Sequence, residues 1–448
     1  MKRKIYSKLL TWKNQWKGKT AILIDGARRV GKSYIALEFA RNEYKSHLLI
    51  DFNNTSREIL ELFENNLSDL DVFFRNLMLL TGVKLYPRES VIVFDEVQQF
   101  PAARGAIKYL VADGRYDYIE TGSLMSINRN VKGIVIPSEE ERIDLFPMDF
   151  EEFLWALGEK DFMDYITECF NAQRPMENAL HRKAMNLFRQ YMIVGGMPQA
   201  VEEYSLSKDL SRVDHIKRNI LKLYRSEISK YAYGEEQKVT RIFDLIPANL
   251  QRHEKRFRIG DVRQGARTRD YMKSLFWLEE SRVANFCYAT MAPSIGLGMN
   301  REEFRYKIYM ADTGLLISQT FNERAELDEL YRKLLLGKLE VIQGMIIENI
   351  VAQMLKASGK ELFFYSKASP DAEDRMEIDF LIRKSSVSSR HNISPIEVKS
   401  SRGFKLSSLN KCIKKFGNQI GTPYILYSGD VKEENGIVYL PLYMTPCL

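Results

Sequence analysis

Eight residues near the amino terminus, Gly26-Ala27-Arg28-Arg29-Val30-Gly31-Lys32-Ser33, follow the pattern GxxxxGK[ST]. Glycines at these places let successive backbone N–H groups face a phosphate chain, and a helix opening at the lysine directs its positive end at the same anion. Lys32 is expected to reach the β and γ phosphates of ATP. Ser33 is expected to offer its hydroxyl to Mg²⁺, an ion that keeps several waters and takes few protein oxygens. The chemistry needs a strand before the loop and a helix after it. Residues 20 to 25 are the apolar run TAILID, and Tyr34 to Arg41 reads as the helix, so Gly26 to Tyr34 form the expected nucleotide contact.

Such a loop works only beside a second buried strand that ends in an acid. Val91-Ile92-Val93-Phe94 is a continuous apolar run, as in a parallel strand covered on both faces, and it ends in Asp95-Glu96. Asp95 is expected to hold the metal, and Glu96 to orient and deprotonate the attacking water. A further strand, Tyr116 to Glu120, precedes Thr121-Gly122-Ser123. Thr121 or Ser123 would stand at the carboxyl edge, where ligands of open α/β sheets gather, and can sense the γ phosphate or simply form a turn. Arg28 and Arg29 can neutralise phosphate charge, in the same chain or in a neighbouring one, or pair with acids.

A second constellation lies near the carboxyl end. Glu348 sits in an expected helix, Met345 to Met354; Glu377 and Asp379 sit in the strand Met376 to Ile382; and Glu397 and Lys399 form E-x-K in Ser394 to Lys399. Strand side chains alternate, so each pair shares a face. Asp379 and Glu397 would hold Mg²⁺ or Mn²⁺, with Glu348 completing the shell or orienting the lysine. The ion would acidify a water and polarise a scissile phosphate, while Lys399 would offset the developing charge. The order of elements, helix acid, strand acid, hairpin, E-x-K, helix (406–416), strand (424–427), is similar to the core of restriction-endonuclease-like folds. Such a module cleaves DNA or only binds it.

Taken together, the sequence resembles a family of prokaryotic AAA-type ATPases with a C-terminal DUF4143 region of the restriction-endonuclease-like, PD-(D/E)xK, kind. The resemblance rests on GARRVGKS, on VIVFDE (91–96), on TGS (121–123) and on RIDLFPMDFEEF (142–153). It extends through YMIVGGMP (191–198), KIYMADTGL (307–315), EIDF (377–380) and IEVK (396–399), and so over nearly the whole chain. It implies a five-stranded ATPase core, a helical and winged-helix middle, and an endonuclease-like end. Two departures stand out: a polar insert between Ser123 and Arg142 replaces the usual Gly-Arg stretch, and Ile378 replaces the proline often found before the strand acid.

Length and composition agree with a multidomain α/β protein. With 448 residues, 45% apolar and 28% charged, the chain is neither disordered, collagenous nor membrane-embedded. Four scattered cysteines form no CxxC pair, and five histidines no HExxH, so a reducing cytoplasm is the expected compartment and hydrolytic zinc is not expected. We read residues 1–155 as the P-loop domain, 156–234 as a helical subdomain, 235–330 as winged-helix-like and 331–448 as endonuclease-like.

The net charge of +7 permits a polyanion partner, DNA above all, and homo-oligomers are compatible with the arginines in the loop. Arg267, Arg269 and Lys273 are expected on a recognition helix, with Arg252, Lys255, Arg256, Arg258 and Arg263 as phosphate contacts. The basic stretch 2–19 reads as an amphipathic helix packing Leu9, Trp12 and Trp16, or as a phosphate-contacting arm. Gly195-Gly196-Met197-Pro198 reads as a helix stop.

Overall fold

A computed structural model describes the chain except residues 17, 123–137, 253, 295, 322–328, 330, 334, 336–342, 384–392, 401 and 402. It divides into two compact units, Met1–Phe146 and Pro147–Leu448.

In the first unit, helix α1 (Ile5–Trp16) precedes β1 (Ala21–Asp25), α2 (Lys32–Glu43) and β2 (Ser46–Asp51). Helices α3 (Arg57–Asn65) and α4 (Leu70–Thr81) lead to β3 (Ser90–Asp95), α5 (Pro101–Asp113), β4 (Asp117–Gly122) and β5 (Glu140–Asp144). The strands form one parallel sheet in the order β2-β3-β4-β1-β5. A parallel sheet needs cover on both faces, and the period of two in its strands provides two apolar surfaces. Ile22, Ile24, Val91, Val93 and Ile119 pack with Ile35 and Phe39 of α2 and with Leu9 and Trp12 of α1. Leu23, Ile92, Phe94 and Tyr118 pack with α3, α4 and α5 on the other side. The buried stripe of α1 is Ile5, Leu9 and Trp12, whereas Trp16, in the last helical position, is 44% exposed, contrary to the expectation that it packs.

The second unit opens with helices α6 (Phe150–Ala156), α7 (Lys160–Asn171), α8 (Asn178–Val194), α9 (Pro198–Ser207), α10 (Leu210–Tyr231) and α11 (Glu236–Leu250). Asp149 and Glu152 form a reciprocal capping box at the start of α6, each side chain accepting the other's backbone N–H. Next come α12 (Met272–Glu280), β6 (Ala284–Thr290), β7 (Arg301–Met310), α13 (Thr313–Thr320) and α14 (Gln343–Ala357). The unit ends with β8 (Phe363–Lys367), β9 (Met376–Arg383), β10 (Ile393–Val398), α15 (Ser407–Phe416), β11 (Tyr424–Tyr427), β12 (Lys432–Glu434) and β13 (Ile437–Pro441). These strands make one mixed sheet in the order β12-β13-β11-β10-β9-β8-β6-β7. The pair β6–β7 is therefore no free-standing wing; β6 pairs in parallel with β8 and carries β7 to the sheet edge. Residues Ile259–Asp261 form only a 3₁₀ turn, in a segment weakened for helix by Gly260 and Gly265. The four cysteines are free thiols. No helix among the described residues is long and apolar enough to cross a membrane.

Candidate functional site

The carboxyl ends of β1, β3 and β4 meet where the strand order reverses direction, the place at which open α/β sheets bind ligands. The phosphate loop leaves β1 at Asp25 and enters α2 at Lys32. Gly31 has φ 97 and Arg29 φ 66, left-handed turns that curl the loop back over the helix end. Ala27 and Val30 are buried, and Arg28, Arg29 and Tyr34 are exposed. The Lys32 ammonium, only 7% exposed, donates to Gly26 O at 2.8 Å and Ala27 O at 3.1 Å, so it is held inside the loop itself.

The other predicted residues of this unit converge on Asp95. Ser33 Oγ donates to Asp95 Oδ1 at 2.7 Å, and the Thr121 hydroxyl donates to the same oxygen. The Glu96 N–H donates to Thr121 Oγ1 at 3.3 Å. Glu96 itself is left-handed, with φ 55, and its carboxylate accepts from the Gln98 side chain. A non-glycine residue in that region is strained, and such strain collects at functional sites. A hydroxyl and a carboxylate side by side at the lysine's end of the loop suit a hard, oxygen-seeking ion such as Mg²⁺. Ser123 lies outside the described residues.

Two features were not read from the sequence. Arg3, 5% exposed, donates to Val30 O at 2.9 Å and Phe146 O at 2.7 Å, so one basic residue of the amino-terminal stretch holds the backbone of the phosphate loop. Arg142 pairs with Asp25 at 2.6 Å and with Asp144 at 3.2 Å, bracing the strand end that launches the loop.

In the second unit, β9 and β10 pair antiparallel with Ile396 opposite Phe380, so Asp379 and Glu397 each lie next to the last paired residue. Asp379 Oδ2 accepts the Val398 N–H at 2.9 Å. Glu348 projects from α14, and Lys399, just past β10, ion-pairs with Glu397. The expected metal set is nevertheless not assembled: among the described residues no group of three His, Cys, Asp or Glu is disposed to hold a metal ion. A lysine occupies the middle instead. Lys307 Nζ lies 2.8 Å from Glu377 Oε1, 3.3 Å from Glu348 Oε1 and 3.9 Å from Asp379 Oδ1. Lys255 also pairs with Glu348, and the Tyr309 hydroxyl donates to it.

Burial alone would raise the pKa of Glu348, but Lys307 and Lys255 outweigh it and hold this carboxyl well below the usual range. Burial would likewise lower Lys307, and the three carboxylates reverse the shift upward. Asp379 moves the other way, raised by burial and then by the charge of Glu348. Burial also raises Glu397, with Lys399 opposing. These residues do not fit a divalent metal centre as they stand.

The basic cluster expected to face nucleic acid is partly committed elsewhere. Arg252 pairs with Asp261, Arg258 with Glu254, and Lys255 with Glu348. Arg267, Arg269 and Lys273 are exposed.

Three family models match the chain. Residues 18–154 match an AAA domain, 185–326 a domain of unknown function (DUF8612), and 343–444 another domain of unknown function (DUF4143). A search of curated proteins gives no match. Among solved structures, a Walker-type ATPase of Pyrococcus abyssi is similar at 15% identity and TM-score 0.42, over 71% of this chain and 96% of that one. The ORC2 protein of Aeropyrum pernix is similar at 12% identity and TM-score 0.36, over 75% of this chain and 92% of that one. The loop, the Asp95 strand and the parallel sheet agree with the match of residues 18–154 to an AAA domain, and the remaining matches, to residues 185–326 and 343–444, are to domains of unknown function.

Proposed function

We propose that the chain binds Mg-ATP and hydrolyses it. The observation that carries this reading is the convergence of Ser33 and Thr121 on one oxygen of Asp95, with Lys32 beside them and Glu96 next in the chain. Gly26 to Tyr34 wrap the phosphates, Lys32 moves from its loop carbonyls onto the β and γ phosphates, and Ser33 and Asp95 hold the ion. Glu96 takes the proton of the attacking water. Magnesium supplies charge neutralisation of the phosphates. Thr121 couples Asp95 to the backbone of Glu96 and so to the γ-phosphate position, with Ser123 as the second residue proposed there.

The nucleotide cycle is proposed to act on DNA in the cytoplasm through the exposed Arg267, Arg269 and Lys273. The four-part division at residues 155, 234 and 330 belongs to this proposal, with a third part that is winged-helix-like only in its order of helices and strand pair, its strands continuing the larger sheet, and an endonuclease-like fourth. Homo-oligomers are part of it too. ATP turnover measured with and without single- and double-stranded DNA tests it: Glu96→Gln abolishes turnover, and DNA raises it in the wild type. Full hydrolysis by Glu96→Gln would reject the site, and indifference to DNA would reject the partner.

The position of Lys307 among the carboxylates favours a second reading of the C-terminal region, that of a module which binds without cutting. In that reading ATP and ADP are conformational signals. Nucleotide that co-purifies and does not turn over supports the switch; DNA-stimulated multiple turnover supports the motor.

A further inference from the structure

Outside the nucleotide site, a buried cluster of charges gathers around Lys307. Its side chain is 1% exposed, comes from β7, and lies beside the ring of Phe364 at 5.0 Å from the centroid. One oxygen each of Glu348, Glu377 and Asp379 faces the ammonium, at 3.3, 2.8 and 3.9 Å. The remaining oxygens are partly spoken for: Lys255 pairs with Glu348 Oε2, and Val398 N–H donates to Asp379 Oδ2. A divalent ion binds carboxylate oxygens at about 2.0–2.6 Å, and it would have to enter where a buried cation already sits. Like charges so close in a site of low dielectric repel strongly, and Lys307 has no solvent into which to withdraw.

We infer that the Lys307 ammonium takes the place of a divalent metal ion among Glu348, Glu377 and Asp379, leaving the C-terminal region without metal-dependent phosphodiester cleavage. A tethered cation satisfies the acids at all metal concentrations. It has no exchangeable water to acidify and no open coordination position for a phosphate oxygen, the two features on which metal-assisted hydrolysis depends. The sheet and hairpin of the module persist, held by a lysine seventy residues upstream of Glu377. The inference is independent of ATP hydrolysis, because it concerns a site within the second unit and is read without nucleotide.

The test is a Mn²⁺ titration of the full chain in nucleotide-free buffer, with free Mn²⁺ followed by electron paramagnetic resonance. Wild type, Asp379→Asn and Lys307→Met are compared. The wild type is expected to show no site tighter than about 1 mM that Asp379→Asn removes. Lys307→Met is expected to gain one Mn²⁺ site at least about tenfold tighter, and Mn²⁺ should raise its melting temperature. A wild-type Mn²⁺ site abolished by Asp379→Asn would overturn the inference, as would a folded Lys307→Met that gains no site. Where Lys307→Met does not fold, the wild type and Asp379→Asn decide the question between them.

Discussion

The Ser33 hydroxyl donates a 2.7 Å hydrogen bond to Asp95 Oδ1, joining the first turn of α2 to the end of β3. The two oxygens that would take Mg²⁺ are thus placed by the sheet and helix themselves. Ser33→Ala is expected to weaken Mg-ATP binding by roughly tenfold while leaving metal-free ATP binding within about threefold. Lys32→Ala should weaken both, by about 10 to 100-fold, because it removes a charge-assisted contact to the phosphates. Isothermal titration with and without magnesium separates the two patterns; equal losses in both conditions for Ser33→Ala would remove it from the metal site.

Glu96 is the proposed base, held in a left-handed backbone conformation beside Asp95. Glu96→Gln keeps size and hydrogen bonding but cannot accept the proton. Turnover should fall by about 10² to 10⁴-fold, with ATP affinity within a few fold of wild type. Single-turnover measurement of bound ATP reads this directly, and a variant that loses affinity in step with rate would point to a binding role.

Thr121 couples these two acids, since its hydroxyl donates to Asp95 and accepts the Glu96 N–H. Thr121→Ala is expected to cost about 1 kcal/mol of organisation at the site, roughly a five- to tenfold loss of turnover, and Thr121→Ser should restore it. Failure of serine to restore the rate would show that the methyl group, not the hydroxyl, matters.

The phosphate loop, its following helix and the Asp95 strand were legible because each depends on local pattern: glycine and lysine spacing, an apolar run, an acid at its end. The antiparallel pairing of the strands that carry Asp379 and Glu397 was legible for the same reason, since a hairpin is a local structure. What stayed hidden were partners brought together by tertiary packing. Lys307 reads as one more basic residue in KIYMADTGL, and nothing near it in sequence says that Glu348 and Glu377 will close on it. Arg3 reads as part of a basic arm, yet it is buried against Val30 and Phe146. The pair β6–β7 has the length of a wing, and only its parallel pairing with β8 makes it part of a larger sheet.

Gly195-Gly196 shows the same limit in a short motif. It does end α8, but Gly196 N–H also donates to Asp312 Oδ2 at 2.5 Å, and Met148 N–H donates to Gly196 O at 2.6 Å. Gly195 has φ 82, and a Cβ on it would strike the Asp312 carboxylate; a Cβ on Gly196 would strike the Met148 backbone. Gly196→Ala is therefore expected to destabilise the fold by about 2–4 kcal/mol, chiefly through overpacking and loss of the Asp312 bond. Chemical denaturation should show it, and a midpoint unchanged from wild type would mean the contact yields.

Lys217 offers a test by pH. It is buried in α10, donates to Ile193 O at 2.8 Å and Tyr331 OH at 3.2 Å, and is surrounded by Asp214, Asp312 and Arg218. Burial lowers its pKa to about 8, with Asp214 and Asp312 only partly opposing. The unfolded chain holds this proton up to about pH 10.4, so between about 8 and 10.4 it binds more protons than the native state. Stability from this group therefore rises with pH across that window, by up to about 3 kcal/mol, and the full penalty for charging it applies below pH 8. Lys217→Met removes the proton while leaving two acceptors unsatisfied, so the variant is less stable at neutral pH yet lacks the rise. Other groups titrate in the same range in both proteins, so the quantity to compare is the difference between their urea midpoints at pH 7.5 and 9.5. That difference should widen toward high pH; a constant gap would mean that Lys217 keeps its ordinary proton affinity in the folded chain.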